Sequence, residues 1–248
     1  MDNVLEIKNL IKIYHSKDGE TLAVENFNFE LKEGEFVAIV GPSGCGKSTI
    51  LSVLCGLEEK SEGEIKLKEN TKIGYMLQQD SLFEWRNILN ICLLGLEINK
   101  NLNKESKEKV INLLNTYGLK DFIYSYPDSL SGGMRQRVAL IRTLATNPSL
   151  LLMDEPFSAL DYQSRLAISD DIYNILKKEK KTMILVTHDI AEAISMCDKV
   201  IVLSNRPAVI KSIYNIELEN KSTPINNRKD KNFSYYYDKI WKDIDFHV

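Results

Sequence analysis

Apolar and polar side chains alternate along the amino-terminal part of the chain, which is the pattern of half-buried β-strands. The runs VLEIKNLIKIY and FNFELKEGEFVAIV are broken by polar residues at 17–20 and 33–34. A further pair of short strands is predicted at about residues 63–67 and 72–76. The chain is therefore predicted to begin with a β-rich region.

The apolar spacing becomes helical from about Asn87 onward. One helix is predicted to end at Gly118, and its apolar face is formed by Val110, Leu113, Leu114 and Tyr117. Farther along, charge-free strands alternate with helices. The predicted order is strand 150–153, helix 163–178, strand 183–186, helix 190–196 and strand 200–203. This alternation predicts an α/β fold with a parallel sheet covered on both faces.

The carboxy-terminal segment has a different composition. Residues 219–232 are polar and rich in Pro and Asn, which predicts a linker or loop. A helix predicted at 233–246 carries one apolar stripe, formed by Phe233, Tyr237, Ile240 and Ile244. Such a helix either docks on its own domain or binds a regulatory partner.

Composition narrows the classes of function. The net charge of −3 over 248 residues offers no basic field for nucleic acid, so no nucleic-acid partner is expected. No apolar run approaches the ~18 residues of a membrane helix, and the amino terminus is unlike a secretory signal. The four cysteines lack metal-binding spacing and are interpreted as reduced thiols of a cytosolic protein.

The run GPSGCGKST at residues 41–49 fits the phosphate-binding pattern G-x-x-x-x-G-K-[ST]. It lies between a predicted strand at 36–40 and a predicted helix at 50–54. Glycines let backbone N–H groups approach phosphates, and the helix adds its positive end. We expect ATP and Mg²⁺ to bind here, with contacts from Gly41, Pro42, Ser43, Gly44, Cys45, Gly46, Lys47, Ser48 and Thr49. Lys47 is placed to reach the β- and γ-phosphates, and Ser48 to bind Mg²⁺.

Cys45 lies inside this loop, next to the start of the predicted helix. A helix amino terminus lowers a thiol pKa and raises its reactivity. We therefore expect Cys45 to be alkylated readily and to be protected by MgATP.

A second run, LSGGM at residues 130–134, identifies the class when it is taken with the phosphate loop. Together they resemble the ATP-binding cassette (ABC) family, and further motifs follow in the family's order: Gln78 in YMLQQD, LLLMDE at 150–155, SALD at 158–161, and His188. The resemblance covers about residues 5–203. It implies a RecA-like P-loop NTPase core, an antiparallel β-subdomain and a helical subdomain inserted at about 87–147. The ATPase domain would span 1–218, followed by the linker and helix at 219–248.

The resemblance also implies catalytic roles. Glu155 would be the general base for the attacking water, Gln78 would sense Mg²⁺ and that water, and His188 would contact the γ-phosphate. Mg²⁺ would be bound by Ser48, Gln78 and Asp154. Taken alone, a histidine such as His188 is more often a surface or capping residue, but its place after a parallel strand favours a ligand contact.

The resemblance implies roles for two further regions and for Tyr14. The helix that starts at Ser131, Gly132 and Gly133 has free N–H groups that suit an anion. In the family it covers the γ-phosphate held by a second copy, so two subunits pair head to tail, and Asp161 passes contacts between the sites. The alternative is a helix cap without a ligand. Tyr14 matches the aromatic residue that stacks on adenine in the family. The alternative is that Tyr14 only packs within the β-subdomain.

Several segments are similar to those of cassettes that serve nitrate, sulfonate, taurine and bicarbonate importers: QQDSLFEWRNILNI, YPDSLSGGMRQRVALIRTL, MDEPFSALD and SNRPAVIKSIYNIEL. The resemblance implies the ATPase subunit of a binding-protein-dependent importer, peripheral on the cytoplasmic face of the membrane. Related cassettes serve pyrimidine precursors of thiamine. An exporter ATPase and an ABC protein acting on DNA, RNA or ribosomes are the other classes, and a single free-standing cassette favours the importer.

The segment after Gln78 is the candidate contact with the membrane. Leu82, Phe83, Trp85 and Arg86 place apolar anchors beside a planar cation, a combination favoured at interfaces. We expect them to receive a short helix of the permease, with the solute-binding protein acting only indirectly. The alternative is that Trp85 is buried within its own helical subdomain.

Overall fold

The computed structural model describes residues 2–17, 19–158 and 160–244. Its strands are β1 (Asn3–Ser16), β2 (Gly19–Lys32), β3 (Phe36–Val40), β4 (Glu62–Leu67), β5 (Ile73–Met76), β6 (Leu150–Asp154), β7 (Thr182–Val186), β8 (Lys199–Leu203) and β9 (Ile210–Asn215). Its helices are α1 (Lys47–Leu54), α2 (Ile88–Ile98), α3 (Lys104–Thr116), α4 (Gly132–Ala145), α5 (Tyr162–Lys178), α6 (Ile190–Met196), α7 (Pro224–Asn227) and α8 (Phe233–Asp243). Short 3₁₀ helices lie at Lys120–Phe122 and Pro127–Ser129.

The central sheet has the order β5-β6-β7-β3-β8-β9. Its strands run parallel from β5 to β8, and β9 is antiparallel to β8. Strands β3, β6 and β7 are buried at every position, which explains why their sequences carry no charge except Asp154 at the end of β6. The predicted parallel sheet is confirmed. β9 was not predicted, because it is an edge strand whose positions alternate only between half-buried and exposed.

The antiparallel sheet has the order β2-β1-β4. The predicted pairing of the two short strands after the phosphate loop is therefore wrong: β4 pairs with β1, whereas β5 joins β6 in the central sheet. Alternate residues of β3 face the two sides of the central sheet. Val37 and Ile39 pack toward the antiparallel sheet and α1, and Phe36, Ala38 and Val40 pack toward the other helices.

Helices α2 and α3 pack against α4 on that second side. Asn87 caps α2 by accepting a hydrogen bond from the Asn90 N–H, so the helix begins where the periodicity changes. Gly118 follows the end of α3 with a φ of 74°, as its predicted role requires. Val110 and Leu114 of the predicted apolar face are buried.

The segment predicted as a polar linker packs closely on the core. It contains α7, in which Asn227 is fully buried and its Nδ2 donates to the Ser195 carbonyl at 2.7 Å. The Ile225 N–H donates to Asp170 Oδ1 at 2.8 Å. Asn227 of the segment thus satisfies a backbone carbonyl of the core, and Asp170 of α5 satisfies a backbone N–H of the segment. Composition alone does not distinguish such a packed polar segment from one that faces water.

Helix α8 docks on its own domain. Ile240 and Ile244 are buried in the core, while Asp243 accepts hydrogen bonds from the Ser212 and Tyr214 hydroxyls at 2.5 and 2.6 Å. The docking alternative for the predicted stripe is thereby confirmed over the described part of the helix. The end of the predicted helix, including Phe246, lies outside the described residues.

Replacing Ile240 with Ala tests the contribution of this docking. Ile240 is completely buried, so its truncation leaves a cavity, and we expect the free energy of unfolding to fall by about 2–5 kcal/mol. Urea denaturation of wild type and variant measures the change. Lys242→Ala, at an exposed position of the same helix, is the control and should stay within about 0.5 kcal/mol of wild type. Equal midpoints for both variants would contradict the assignment.

Candidate active site

The phosphate loop joins the carboxyl end of β3 to the start of α1. Gly44 and Gly46 have φ values of 71° and 124°, a region that favours glycine. A Cβ on Gly46 would also lie 2.7 Å from the Ala23 carbonyl oxygen. No side-chain cap occupies the start of α1, so its first N–H groups point toward the loop, as anion binding requires.

Lys47 lies across the inside of this loop. Its side chain is buried, and Nζ donates to the carbonyl oxygens of Gly41 and Pro42, both at 2.8 Å. A buried ammonium group is costly unless acceptors or an anion surround it. The loop therefore concentrates positive charge and N–H donors in one place, which fits the phosphates of a nucleotide.

Asp154 is the last residue of β6 and is only 6% exposed. Its Oδ2 accepts a hydrogen bond from the Tyr75 hydroxyl at 3.3 Å, while its buried Oδ1 has no hydrogen-bond partner in the described structure. Burial raises the pKa of Asp154, opposed by hydrogen bonds from Ser48 and Tyr75 and by the charge of Lys47. A cation would satisfy the unpaired oxygen.

The donor set fits Mg²⁺ in particular. The described residues contain no group of three or more His, Cys, Asp and Glu side chains able to hold a metal by themselves. Mg²⁺ typically takes one or two protein ligands and completes its shell with phosphate and water oxygens. The Ser48 hydroxyl, which opposes the rise that burial causes in the pKa of Asp154, and the Asp154 carboxylate are suitable ligands of this kind.

Glu155 directly follows Asp154, and its carboxylate contacts the other two predicted catalytic side chains. Its Oε2 is 3.2 Å from Gln78 Nε2 and 3.1 Å from His188 Nδ1. Glu155 has a φ of 44°, a strained value for a residue other than glycine, and its N–H donates to the Val186 carbonyl at 2.8 Å. Such strain is typical of functional sites. The structure thus brings two residues from distant parts of the sequence, Gln78 and His188, onto the Glu155 carboxylate.

Tyr14 lies near the phosphate loop, where its hydroxyl is 3.5 Å from Thr49 Oγ1. The ring is half-buried against the core of the antiparallel sheet, and Lys12 Nζ is 4.6 Å from its centre. The ring therefore packs within the β-subdomain and also adjoins the nucleotide site. Adenine stacking stays a prediction.

The expectation of a reactive Cys45 is wrong. The thiol is 1% exposed, and burial raises the pKa of Cys45 despite the nearby charge of Lys47. The side chain packs into the core shared with the antiparallel sheet, on the side of the loop away from solvent. The loop pattern locates the backbone but does not reveal which way this side chain points.

The LSGGM run at residues 130–134, which we call the signature, lies away from the phosphate loop. Ser131 caps α4 by accepting from the Met134 N–H, and a Cβ on Gly133 would come within 2.5 Å of Ile168 Cδ1. Asp161 caps α5, and its hydrogen bond from Ser164 lowers the pKa of Asp161. A groove of about 390 Å³ is lined by Ser131, Gly132, Gly133 and Asp161 together, and by none of residues 41–49. The chain therefore carries two separate groups of predicted nucleotide contacts.

A polar network around His188 was not predicted from the sequence. The Thr187 hydroxyl donates to Glu192 at 2.8 Å, and Arg165 Nη1 pairs with Asp189 at 3.3 Å. Burial, followed by the charge of Asp189, raises the pKa of Glu192 to about 7. Arg165 and Glu192 look like ordinary exposed positions of amphipathic helices, so no sequence signal could have identified them. They hold both neighbours of His188 in place.

The predicted permease contact is only partly exposed. Trp85 is 75% exposed and its ring centre is 5.0 Å from that of Phe83, so the alternative of a buried Trp85 is wrong. Leu82, however, is buried in the core beside α2 and α4, and Arg86 pairs with Glu97 at 2.9 Å. The expectation that Leu82 offers apolar surface is therefore wrong as well, because this side chain anchors the loop.

Within the described ranges, none of the helices has the length and apolar character needed to cross a membrane. A family model described as ABC transporter matches residues 24–158. An uncharacterised ABC transporter ATP-binding protein of Bacillus subtilis is 45% identical, over 97% of this chain and 95% of its own length.

Other relatives carry import functions in their names. An aliphatic sulfonates import ATP-binding protein of Bacillus thuringiensis is 36% identical over 95% of this chain and 94% of its own length. A nitrate import ATP-binding protein of Synechocystis is also 36% identical, over 95% of this chain and 93% of its own length.

Solved structures agree with this fold. A dimeric bacterial ABC transporter cassette gives a TM-score of 0.74 at 31% identity, covering 86% of this chain and 99% of that chain. A dimeric cassette in a post-hydrolysis state, bound to ADP and Pi, gives 0.72 with the same identity and coverage. With the motifs and their geometry, these matches show that the chain belongs to the ABC transporter family, as an ATP-binding cassette.

Proposed function

We propose that this chain is the ATP-hydrolysing subunit of a binding-protein-dependent importer for small anions of the sulfonate or nitrate type. The observation that carries the hydrolytic part is the Glu155 carboxylate, held between Gln78 and His188 and adjacent to the buried Asp154. The importer part is supported by relatives named as sulfonate and nitrate import proteins, which match nearly the whole chain.

In the proposed mechanism, Lys47 and the N–H groups of the phosphate loop hold the triphosphate in line for attack. Glu155 orients a water molecule and accepts its proton, while contacts from Gln78 and His188 fix the position of that carboxylate. Mg²⁺, with Ser48, Gln78 and Asp154 as its protein ligands, would supply positive charge against the developing negative charge. Tyr14 would stack on the adenine ring.

A second copy of the chain completes the site in this proposal. The groove at Ser131, Gly132 and Gly133 is lined by none of the phosphate-loop residues, so these groups would meet across a head-to-tail dimer. Asp161 lines the same groove and would carry contacts between the two sites. The dimeric state of a solved relative supports this arrangement.

The permease is proposed to dock on the exposed aromatic pair Phe83 and Trp85. The loop at residues 123–125 lies against the start of α2, a few residues after this pair in sequence, because the N–H groups of Ile88 and Leu89 donate to the carbonyls of Ser125 and Ile123 at 2.9 Å. Tyr124 on this loop is 72% exposed. Exposed aromatic side chains in one region are typical of interfaces. This contact would hold the subunit on the cytoplasmic face of the membrane.

Replacing Glu155 with Gln tests the proposed base. The amide keeps the size of the side chain but cannot accept the proton, so we expect kcat to fall by about 10²–10⁴-fold. ATP binding, measured with a fluorescent analogue, should be retained, and an ATP-bound dimer should accumulate in size-exclusion chromatography. Lys47→Ala is the contrasting variant, because it should weaken nucleotide binding itself. Hydrolysis by Glu155→Gln within twofold of wild type would exclude Glu155 as the base.

Double replacement of Phe83 and Trp85 by Ala tests the docking surface. Both side chains reach solvent, so the isolated subunit should fold and bind ATP as wild type does. Co-purification with its permease and coupled transport should be lost. Tyr235→Ala, which removes an aromatic side chain that is 54% exposed on α8, is the control and should keep both. A fully coupled complex from the double variant would place the docking surface elsewhere.

The solute can be tested on the complete transporter in proteoliposomes, assembled with its cognate permease and binding protein. We expect ATP hydrolysis to rise several-fold when the binding protein is loaded with an alkanesulfonate or nitrate. A thiamine-pyrimidine precursor serves as the comparison solute and should give no stimulation. Stimulation by the pyrimidine alone would contradict the proposed solute class while leaving the importer function intact.

A further inference from the structure

Arg135, in the first turns of α4, forms an ion-pair network with the segment that follows Gln78. Its Nε donates to Asp80 Oδ2 at 2.6 Å, and its Nη2 donates to Asp80 Oδ1 at 3.2 Å and to Glu84 Oε1 at 3.0 Å. Nη1 donates to the Pro127 carbonyl at 3.2 Å. We call the three side chains Asp80, Glu84 and Arg135 the charge clasp.

The charge clasp is stronger than an ordinary surface ion pair. Arg135 and Asp80 are only 24% and 20% exposed, and two parallel hydrogen bonds join them. Burial would raise the pKa of Asp80, but the hydrogen bonds and charge of Arg135 outweigh it and hold that pKa below its ordinary value. Glu84 is 56% exposed, so water screens its contribution more strongly.

The same segment has anchors that do not depend on charge pairing. Arg142 of α4 donates to the carbonyl oxygens of Ser81 and Asp80, both at 2.9 Å. Leu82 is buried in the core, and its N–H donates to Asp80 Oδ1 at 3.3 Å. Loss of the charge clasp should therefore leave the segment folded but free to shift relative to the start of α4.

Two regions with proposed functions lie close in sequence to the charge clasp. Gln78, two residues before Asp80, reaches Glu155 Oε2 at 3.2 Å. Arg135 lies one helical turn after Ser131, whose groove is separate from the phosphate loop. The clasp is thus a direct polar link between the residues beside the proposed base and the helix that begins with the signature.

We propose that the charge clasp positions Gln78 on Glu155 by fastening its loop to α4, so that ATP hydrolysis depends on Arg135 although Arg135 does not touch the reacting groups. The proposal rests on the role proposed above for Glu155. Arg135 acts as a positioning residue: with the clasp broken, Gln78 keeps its chemistry but loses its fixed distance from the carboxylate.

The test compares Arg135→Met, Asp80→Asn and the double variant by steady-state hydrolysis in the isolated subunit. Each single variant should lower kcat about tenfold while KM for ATP stays within twofold, because the phosphate loop is untouched. The double variant should be no slower than the slower single one, since both remove the same contact. Arg135→Lys, which keeps the charge but loses the two-pronged contact, should give an intermediate kcat.

Asp171→Asn is the matched control, because it breaks the 2.6 Å pair made by Arg137, two residues farther along α4. It should leave kcat unchanged. The positioning role of the charge clasp would be contradicted by any of three results: a wild-type kcat in folded Arg135→Met, additive losses in the double variant, or an equal loss in Asp171→Asn.

Glu155→Gln, measured alongside, separates the two proposals. If Glu155→Gln stays active while the clasp variants lose activity with unchanged KM, the base assignment fails, and only the dependence of hydrolysis on the charge clasp is retained. If Glu155→Gln is inactive and the clasp variants match wild type, the clasp alone is overturned.

Discussion

The parallel register of β3, β6 and β7 is the constraint on which the site depends. Ile39 pairs with Val186, and Asp154 pairs with the same residue from the other side, so the three strands end at one edge. The phosphate loop, the two carboxylates and His188 each follow one of these ends. Full burial on both faces leaves the strands little freedom to slip. Packing of the core thus sets the distances between the phosphate loop, the two carboxylates and His188.

The site concentrates features that are costly to folding. Lys47 is a buried cation, Asp154 has a buried oxygen with no hydrogen-bond partner among the described residues, and Glu155 holds a strained backbone conformation. Each is balanced nearby: carbonyl oxygens surround Lys47, Tyr75 donates to Asp154, and the Val186 carbonyl fixes the Glu155 turn. A nucleotide and its metal ion would relieve the remaining cost, which favours the bound state.

Much of this arrangement could be predicted because it is encoded locally. Charge-free strands, capping residues and glycines with positive φ mark the core and the phosphate loop by themselves. What could not be predicted depends on contacts between distant segments. Cys45 faces the core, Leu82 anchors a loop, and Asn227 satisfies a buried carbonyl, yet their neighbours in sequence give no sign of it. The pairing of Asp80 with Arg135 is of the same kind.

Helix α4 connects the predicted signature contacts with the loop that follows Gln78. It begins at the signature groove, its buried face packs against α2 and α3, and its arginines hold the loop after Gln78. Movement of the signature toward a second copy would therefore displace that loop as well, because the ion pair and the carbonyl contacts transmit it. The exposed pair Phe83 and Trp85 lies on the same segment. One rigid helix can thus link pairing of two subunits, the position of Gln78 and the proposed permease contact.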